Sequence, residues 1–218
     1  MTVAQTSLPT NAKLYLPDLR TQIQQVWPTM PAPQYFAGQV EQETCISLTW
    51  SSCWNPHTDF KTSREYGFGL GQLTITPAFN NFTALQQMKD PVIRTWKWTN
   101  RFDPNMQIRA MLDMDLVDFN AFEMVGLTPT DQYAFMFSAY NGGAGGLEMH
   151  IQYCYSLPMS ECNHRIWFNN VATHSWKSRV RVAGYGQSFF DINREYVSNI
   201  LDVRSQKYLG FFDITTKP

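Results

Sequence analysis

The chain has 218 residues, enough to bury one sizeable hydrophobic core, so we expect a single domain over residues 16–218 after an N-terminal tail over 1–15. Its net charge of -1 argues against a polyanion such as nucleic acid as the partner. Aromatic residues make up 15% of the chain and charged residues only 16%, so we expect exposed aromatic and uncharged polar groups, as in a carbohydrate groove.

The first predicted elements are two helices. One begins near Pro17 and continues at helical spacing until a group of prolines ends the pattern. The next opens at Pro33 and carries Phe36, Val40 and Glu43 on one stripe. The segment 49–71 shows no periodicity and many turn formers, which predicts a long structured loop.

The rest of the chain also reads as helical, which makes the predicted fold class mainly α. A small β-hairpin within residues 49–75 is the only strand structure we expect. Thr128 followed by Pro129 and Asp131 is a helix-start signal. Further helices are predicted over residues 78–89, 104–125, 129–140, 144–155 and 190–208.

The four cysteines fall in two equally spaced pairs, Cys45 with Cys53 and Cys154 with Cys162. Four cysteines allow three connectivities, of which we favour the two local ones, and disulfides indicate an oxidising compartment. The spacing is not that of a zinc knuckle, so we expect neither a metal nor a cofactor. No apolar run is long enough for a leader or a membrane span.

Two glutamates, Glu41 and Glu43, flank Gln42 in the second helix. Glu43 shares a stripe with Phe36 and Val40, so its carboxyl should lie at the margin of the core. Glu41 points nearly opposite but adjoins Leu48, so periodicity alone favours neither glutamate strongly. Burial against apolar side chains disfavours the charged form of an acid, which suits a general acid. Most helix glutamates are simply solvated, however, so this position alone identifies no site.

Two glycine-rich segments follow. SREYGFGLGQL lacks the lysine and hydroxyl residue of a phosphate loop and the preceding strand of a dinucleotide fingerprint, so it predicts a tight turn or a place where a ligand approaches the backbone. SAYNGGAGGL predicts the end of one helix and the start of another. A basic run, Lys177 to Arg181, is typical of a solvated loop.

Together, in this order, these segments resemble the lysozyme-like fold of soluble lytic transglycosylases and goose-type lysozymes. The resemblance covers roughly residues 35–150 and rests on three motifs. They are Glu43 followed by Thr44, Ser63 preceding the turn that ends at Gln72, and Tyr140 with Asn141 after an alanine. The C-terminal remainder also resembles phage-encoded members of this group.

The resemblance implies cleavage of the β-1,4 bond between N-acetylmuramic acid and N-acetylglucosamine in peptidoglycan. Glu43 would act as the general acid and then as the base that closes a 1,6-anhydro ring, with Tyr140 orienting its carboxyl. The implied partner is the peptidoglycan glycan strand, bound by a monomer. The residues implied to line the sugar subsites are Ser63, Gly69, Leu70, Gln72 and Asn141.

One departure leaves a hydrolytic alternative open. Goose-type enzymes carry an aspartate two residues after the motif glutamine, where this chain has Thr74. Glu65 or Asp59, in the same loop, could supply the second carboxylate of an inverting lysozyme. Glu65 could equally support Glu43 in a transglycosylase, which is the reading we favour.

A third alternative is a non-catalytic peptidoglycan-binding or virion structural protein that keeps the fold. Paired cysteines without a leader suit a phage endolysin or virion-associated protein that reaches the bacterial periplasm and cell wall without a cleaved signal. We expect the protein to act there.

Overall fold

The computed structural model describes residues 8–123, 125–177 and 179–212. Within them the chain is mainly helical with one small antiparallel sheet, which confirms the predicted fold class. The helices are α1 Ala12–Val26, α2 Gln34–Thr44, α3 Asn81–Leu85, α4 Pro104–Ala121, α5 Pro129–Gly142, α6 Ala144–Tyr155, α7 Phe189–Ser198 and α8 Leu209–Phe212. Short 3₁₀ turns lie at Ile93–Thr95, Trp98–Asn100 and Ser205–Tyr208, and π-helical turns at Trp167–Val171 and Asn199–Arg204.

The chain divides into two compact units. The first consists of Met1–Met114 and Ile200–Pro218, and the second of Asp115–Asn199. Residues 1–7 of the predicted N-terminal tail and Ser178 of the basic run lie outside the described residues.

Helix α1 begins earlier than the sequence predicts. It starts at Ala12, so that Pro17 lies inside the helix and not at its start. Ala12, Leu16 and Leu19 are all buried and lie on one face. Their burial outweighs the one backbone hydrogen bond that a proline removes.

The sheet of the first unit occupies the predicted hairpin region but has three strands. They are β1 Asp59–Lys61, β2 Tyr66–Phe68 and β3 Leu73–Ile75, in the order β1-β2-β3 and antiparallel throughout. Asp59 pairs with Phe68 in the first ladder, and Phe68 pairs with Leu73 in the second. Phe68 and Leu73 are fully buried in a core cluster with Phe82 and Trp96.

The second unit is built around α5, which packs against α6 and α7. Thr128 caps α5 as predicted, since its Oγ1 accepts the Asp131 N–H at 3.1 Å. The Asp131 carboxylate in turn accepts the Trp167 N–H at 2.8 Å and so fixes the turn that follows α6.

Three predicted helices are shorter in the structure. The helix predicted over 78–89 is limited to α3, because Asn80 is paired with Ile75 at the edge of the sheet and caps the helix. Helix α4 ends at Ala121 and not at residue 125. The helix predicted over 190–208 ends at Ser198 and is followed by the π-helical and 3₁₀ turns. These turns bring the Ser205 backbone so close to α2 that a Cβ on Gly38 would lie 3.0 Å from the Ser205 nitrogen.

The two local disulfides, Cys45–Cys53 and Cys154–Cys162, are both formed, which confirms the favoured connectivity. No helix among the described residues is long and apolar enough to cross a membrane.

Candidate active site

The proposed acid lies at a strongly anchored helix end. Glu43 is half-buried in the last turn of α2. The hydroxyl of the next residue, Thr44, donates to the Val40 carbonyl at 2.6 Å and accepts the Trp54 N–H at 2.9 Å. The Cys45–Cys53 disulfide ties the same two segments covalently. The backbone that carries Glu43 is therefore fixed from its C-terminal side.

A path of hydrogen bonds joins this helix end to the glycine turn. The Ser52 hydroxyl donates to the Thr44 carbonyl at 3.0 Å, and the Thr58 hydroxyl donates to the Ser52 carbonyl at 2.8 Å. The Thr58 carbonyl then accepts the Gly69 N–H at 2.8 Å. The first two motifs of the lysozyme-like pattern, separated in sequence, are thus physically connected within the first unit.

Gln107 of α4 holds the glycine turn from the other side. Its side chain is fully buried, accepts the Leu70 N–H at 2.9 Å and donates to the carbonyls of Pro56 and Arg101, both at 2.9 Å. Gly69 has a φ of 77°, and a Cβ at this position would overlap Gln107. Gly69 is therefore required both for its backbone conformation and for this close approach.

Two of the predicted sugar-binding residues, Leu70 and Gln72, help to stabilise this turn. Leu70 is fully buried, so its side chain has no surface with which to contact a ligand. The Gln72 amide donates to the Gly69 carbonyl at 2.8 Å, and a Cβ on Gly67 would come within 2.8 Å of the Gln72 Oε1. Gln72 thus closes the turn with its own side chain, and its contact with a sugar stays a prediction.

The tip of the β1–β2 hairpin carries Ser63 and Glu65. Ser63 is exposed and Glu65 is half-buried. The Thr62 hydroxyl accepts the Glu65 N–H at 3.1 Å, and the Thr62 N–H donates to the Glu65 carbonyl at 2.9 Å, which makes the tip a closed turn. Asp59, on β1, is exposed and accepts a hydrogen bond from the Tyr66 hydroxyl at 3.5 Å. Both candidate second carboxylates therefore lie in the β1–β2 hairpin, Asp59 on its first strand and Glu65 in its turn, in the same unit as Glu43.

Glu41, the other glutamate of α2, is buried with 1% of its surface exposed. Its Oε1 accepts from Arg204 at 3.1 Å and from Lys207 at 2.7 Å, and its Oε2 accepts from the Tyr208 hydroxyl at 2.5 Å. Tyr208 also accepts the indole N–H of Trp54 at 3.0 Å. Burial and the Glu41 charge raise the pKa of Tyr208, which stays protonated. Glu41 is thus a structural anchor between α2 and the C-terminal segment.

An aromatic surface lies beside the sheet in the first unit. Trp98 is 41% exposed, and the Arg101 guanidinium lies over its ring at 4.7 Å and over the Phe102 ring at 4.3 Å. The rings of His57 and Phe102 are 4.8 Å apart, and those of Tyr66 and Trp98 are 6.4 Å apart. The Arg101 guanidinium thus lies over both rings, and sugar binding by this surface stays a prediction.

The third motif lies in the second unit, at the end of α5. Tyr140 is half-buried and Asn141 is exposed. The Asn193 amide of α7 donates to the Asn141 Oδ1 at 3.1 Å and to the Ser138 carbonyl at 2.9 Å. A Cβ on Gly142 would come within 2.9 Å of the same amide nitrogen. The end of α5 is therefore fixed by α7, and the predicted roles of Tyr140 and Asn141 toward substrate stay predictions.

Within residues 8–123, 125–177 and 179–212, no group of three or more His, Cys, Asp or Glu is placed to hold a metal ion.

No protein-family model matches the chain, and no curated protein is significantly similar to it. The assignment of function therefore depends on the motifs and on the geometry described above.

The sequence analysis predicted neither the role of Gln107 nor the partners of Glu41. Gln107 lies on the same face of α4 as Ala110 and Met111, which are fully buried, so a polar residue in an apolar stripe was a signal that could have found it. The partners of Glu41 lie more than 160 residues away along the chain, and no local sequence pattern predicts them.

Proposed function

We propose that the protein is a peptidoglycan lytic transglycosylase that cleaves the bond between N-acetylmuramic acid and N-acetylglucosamine, with Glu43 as its acid and base. The observation that carries this proposal is the hydrogen-bond path from Thr44 to Gly69. The path fixes the backbone that follows Glu43 relative to the glycine-rich turn, and a groove for an extended polysaccharide would need these two segments to be held together.

In the proposed transglycosylase reaction one carboxyl group acts first as a general acid and then as a general base. Protonated Glu43 donates its proton to the leaving oxygen of N-acetylglucosamine as the glycosidic bond breaks. The resulting carboxylate takes the proton of the muramic acid 6-hydroxyl, whose oxygen bonds to the anomeric carbon and closes the 1,6-anhydro ring. No water is consumed, and Glu43 ends protonated again. General acid–base help of this kind contributes about 10²–10⁴ in rate.

A hydrolytic mechanism is the second candidate, because Glu65 is half-buried at a closed hairpin tip of the same unit. In an inverting lysozyme Glu65 or Asp59 would activate a water molecule opposite the leaving group. The two mechanisms differ in product, since hydrolysis leaves a reducible end and ring closure does not.

The test is a mass analysis of the muropeptides released from purified peptidoglycan. Wild type should release mainly 1,6-anhydromuropeptides, about one water lighter than hydrolytic products. Glu43→Gln should lose at least about 10²-fold in rate. The matched control is Glu148→Gln, which changes an exposed helix glutamate of the second unit and should leave the rate unchanged.

Glu65→Gln separates the two mechanisms. Under the transglycosylase proposal it should slow the reaction but keep the anhydro product. Reducible ends from the wild type together with an inactive Glu65→Gln variant would establish the two-carboxylate lysozyme. Release of no fragment at all by a folded wild-type protein would favour the third class, a peptidoglycan-binding or virion structural protein.

The place of action follows from the substrate. Two formed disulfides are compatible with a periplasmic or extracellular location. We propose that the protein acts on the bacterial cell wall as a phage endolysin or virion-associated enzyme.

A further inference from the structure

Gln107 of α4 is fully buried, and both N–H groups of its side chain are in use. They donate to the carbonyls of Pro56 and Arg101, and the amide oxygen accepts the Leu70 N–H, each at 2.9 Å. All three partners are backbone groups, and a buried backbone group without a partner is costly. The position therefore requires an amide, which offers two donors and one acceptor at once.

The three segments that meet at this amide are far apart along the chain. Leu70 belongs to the glycine turn, and Pro56 to the loop between the end of α2 and β1. Arg101 carries the guanidinium that lies over the Trp98 ring at 4.7 Å, so its carbonyl is the point at which Gln107 holds the aromatic surface. One side chain thus fixes the glycine turn, this loop and the aromatic surface relative to one another.

The glycine turn is also in direct contact with Gln107. A Cβ on Gly69 would lie 2.4 Å from the Gln107 Cδ, so the backbone of the turn packs directly on the amide. The hydrogen bond from the Gln72 amide to the Gly69 carbonyl closes the turn within itself but does not attach it to α4. The contact and the hydrogen bond made by Gln107 provide that attachment.

The proposed acid is held by other contacts. Thr44 bonds the preceding turn of α2 and the Trp54 N–H, and the Cys45–Cys53 disulfide closes the same helix end. None of these contacts involves Gln107. Loss of the Gln107 amide should therefore displace the glycine turn while the backbone that follows Glu43 stays in place.

We propose that Gln107 is a positioning residue that determines the affinity of the protein for the glycan strand, acting through the glycine turn and the Arg101 segment. This inference rests on the proposed function, which names the glycan strand as the substrate. Contacts with sugars away from the broken bond are the same in the ground state and the transition state, so their loss raises KM and leaves kcat nearly unchanged. A residue that only stabilised the fold would change neither constant of the folded enzyme.

The kinetic test uses Gln107→Met, because methionine has nearly the length of glutamine but offers no donor and only a weak acceptor. The substrate is soluble glycan strands without cross-links, and rates are measured well below the melting temperature. KM should rise about tenfold or more, as expected when the contacts of the turn are lost. The value of kcat should change by less than about threefold. An unchanged KM, or a fall in kcat alone, would overturn the proposal.

Gln22→Met is the matched control. Gln22 is a buried glutamine of α1 whose amide bonds the side chains of Asn105 and Arg109 on α4. Its loss should lower the melting temperature but leave KM as in the wild type. A rise in KM equal to that of Gln107→Met would show that the effect comes from loosening α4 and not from the turn, which would also contradict the proposed role.

A second variant, Gln107→Glu, keeps the proposal testable if Gln107→Met does not fold. The introduced carboxyl faces the carbonyls of Pro56 and Arg101, to which only its protonated form can donate. Burial and these carbonyls should raise its pKa above the usual range of a glutamate. Calorimetry with the same glycan strands and the Glu43→Gln protein, which does not cleave them, measures affinity alone. Adding Gln107→Glu should make this affinity fall as the pH rises, and parallel pH profiles with and without Gln107→Glu would refute the proposal.

The two proposals fail separately. If the wild type yields no anhydro product but Gln107→Met still weakens the calorimetric binding of glycan strands by the Glu43→Gln protein, the positioning role stands and the enzymatic proposal falls. If anhydro products form with the same KM in the wild type and in Gln107→Met, the reverse holds.

Discussion

The buried glutamate of α2 allows a prediction whose size can be worked from the structure. Glu41→Gln keeps the shape of the side chain but removes the negative charge that pairs with Arg204 and Lys207. Its amide NH₂ group would also face a hydrogen-bond donor where the carboxylate now accepts from Arg204, Lys207 or Tyr208. Removing one partner of a buried ion pair costs about 3–5 kcal/mol. Because the Arg204 side chain is 21% exposed and can be partly hydrated, we expect the lower end, about 3 kcal/mol.

For a chain of this length each kcal/mol lowers the melting temperature by about 2–4 °C, so Glu41→Gln should lower it by roughly 6–12 °C. Thermal and urea unfolding, followed by circular dichroism, measure both quantities. The matched control is again Glu148→Gln, an exposed helix glutamate, which should shift the melting temperature by much less.

The same variant tests the choice of acid. At a temperature well below its melting point, folded Glu41→Gln should retain activity that Glu43→Gln lacks. Equal melting temperatures for Glu41→Gln and the control would refute the anchoring role. A stable but inactive Glu41→Gln beside an active Glu43→Gln would show that the acid was assigned to the wrong residue.

Two further predictions concern stability. Each disulfide closes a short loop and should contribute about 2–3 kcal/mol, so a reductant should lower the melting temperature by roughly 4–12 °C per bridge; an unchanged melting curve would contradict this. Burial raises the pKa of Asp118 to about 7 from 3.8, so its contribution to stability is complete below pH 3.8 and is lost as the pH rises through 7. Asp118→Asn should therefore gain stability over wild type by up to about 1.4 kcal/mol per pH unit across that window, and a difference in urea unfolding that is independent of pH would disprove it.

Local signals in the sequence predicted the local structure. The Thr128 cap, the two short disulfide loops and the strand-forming segment within 49–75 each depend on residues a few positions apart. The start of α1 was predicted too late because that prediction also used a local signal, Pro17. Proline usually occurs in the first turn of a helix, but here α1 begins five residues before Pro17, because Ala12 and Leu16 are buried on its apolar face.

Long-range contacts could not be predicted in the same way. The C-terminal segment reads as one continuous helix, yet its turns bring Arg204, Lys207 and Tyr208 onto a single carboxylate of α2. Helical periodicity places such residues on one face but does not say which element that face meets. The burial of Gln107 under the glycine turn is of the same kind, because two of its hydrogen bonds reach backbone groups of Pro56 and Leu70, which are far away along the chain.

The glycine turn also limits what its motif can prove about function. Gly69 is required by its backbone conformation and by Gln107, and Gly67 is required by the Gln72 side chain that lies against it. These constraints come from the fold, so a protein that kept the fold and lost its activity would keep the same glycines. The hydrogen bonds of Thr44 fix the backbone at the end of α2, so they too are explained by the fold and do not test the proposed role of Glu43. The choice between an enzyme and a binding protein therefore depends on the activity of Glu43→Gln and on the product that the wild type releases.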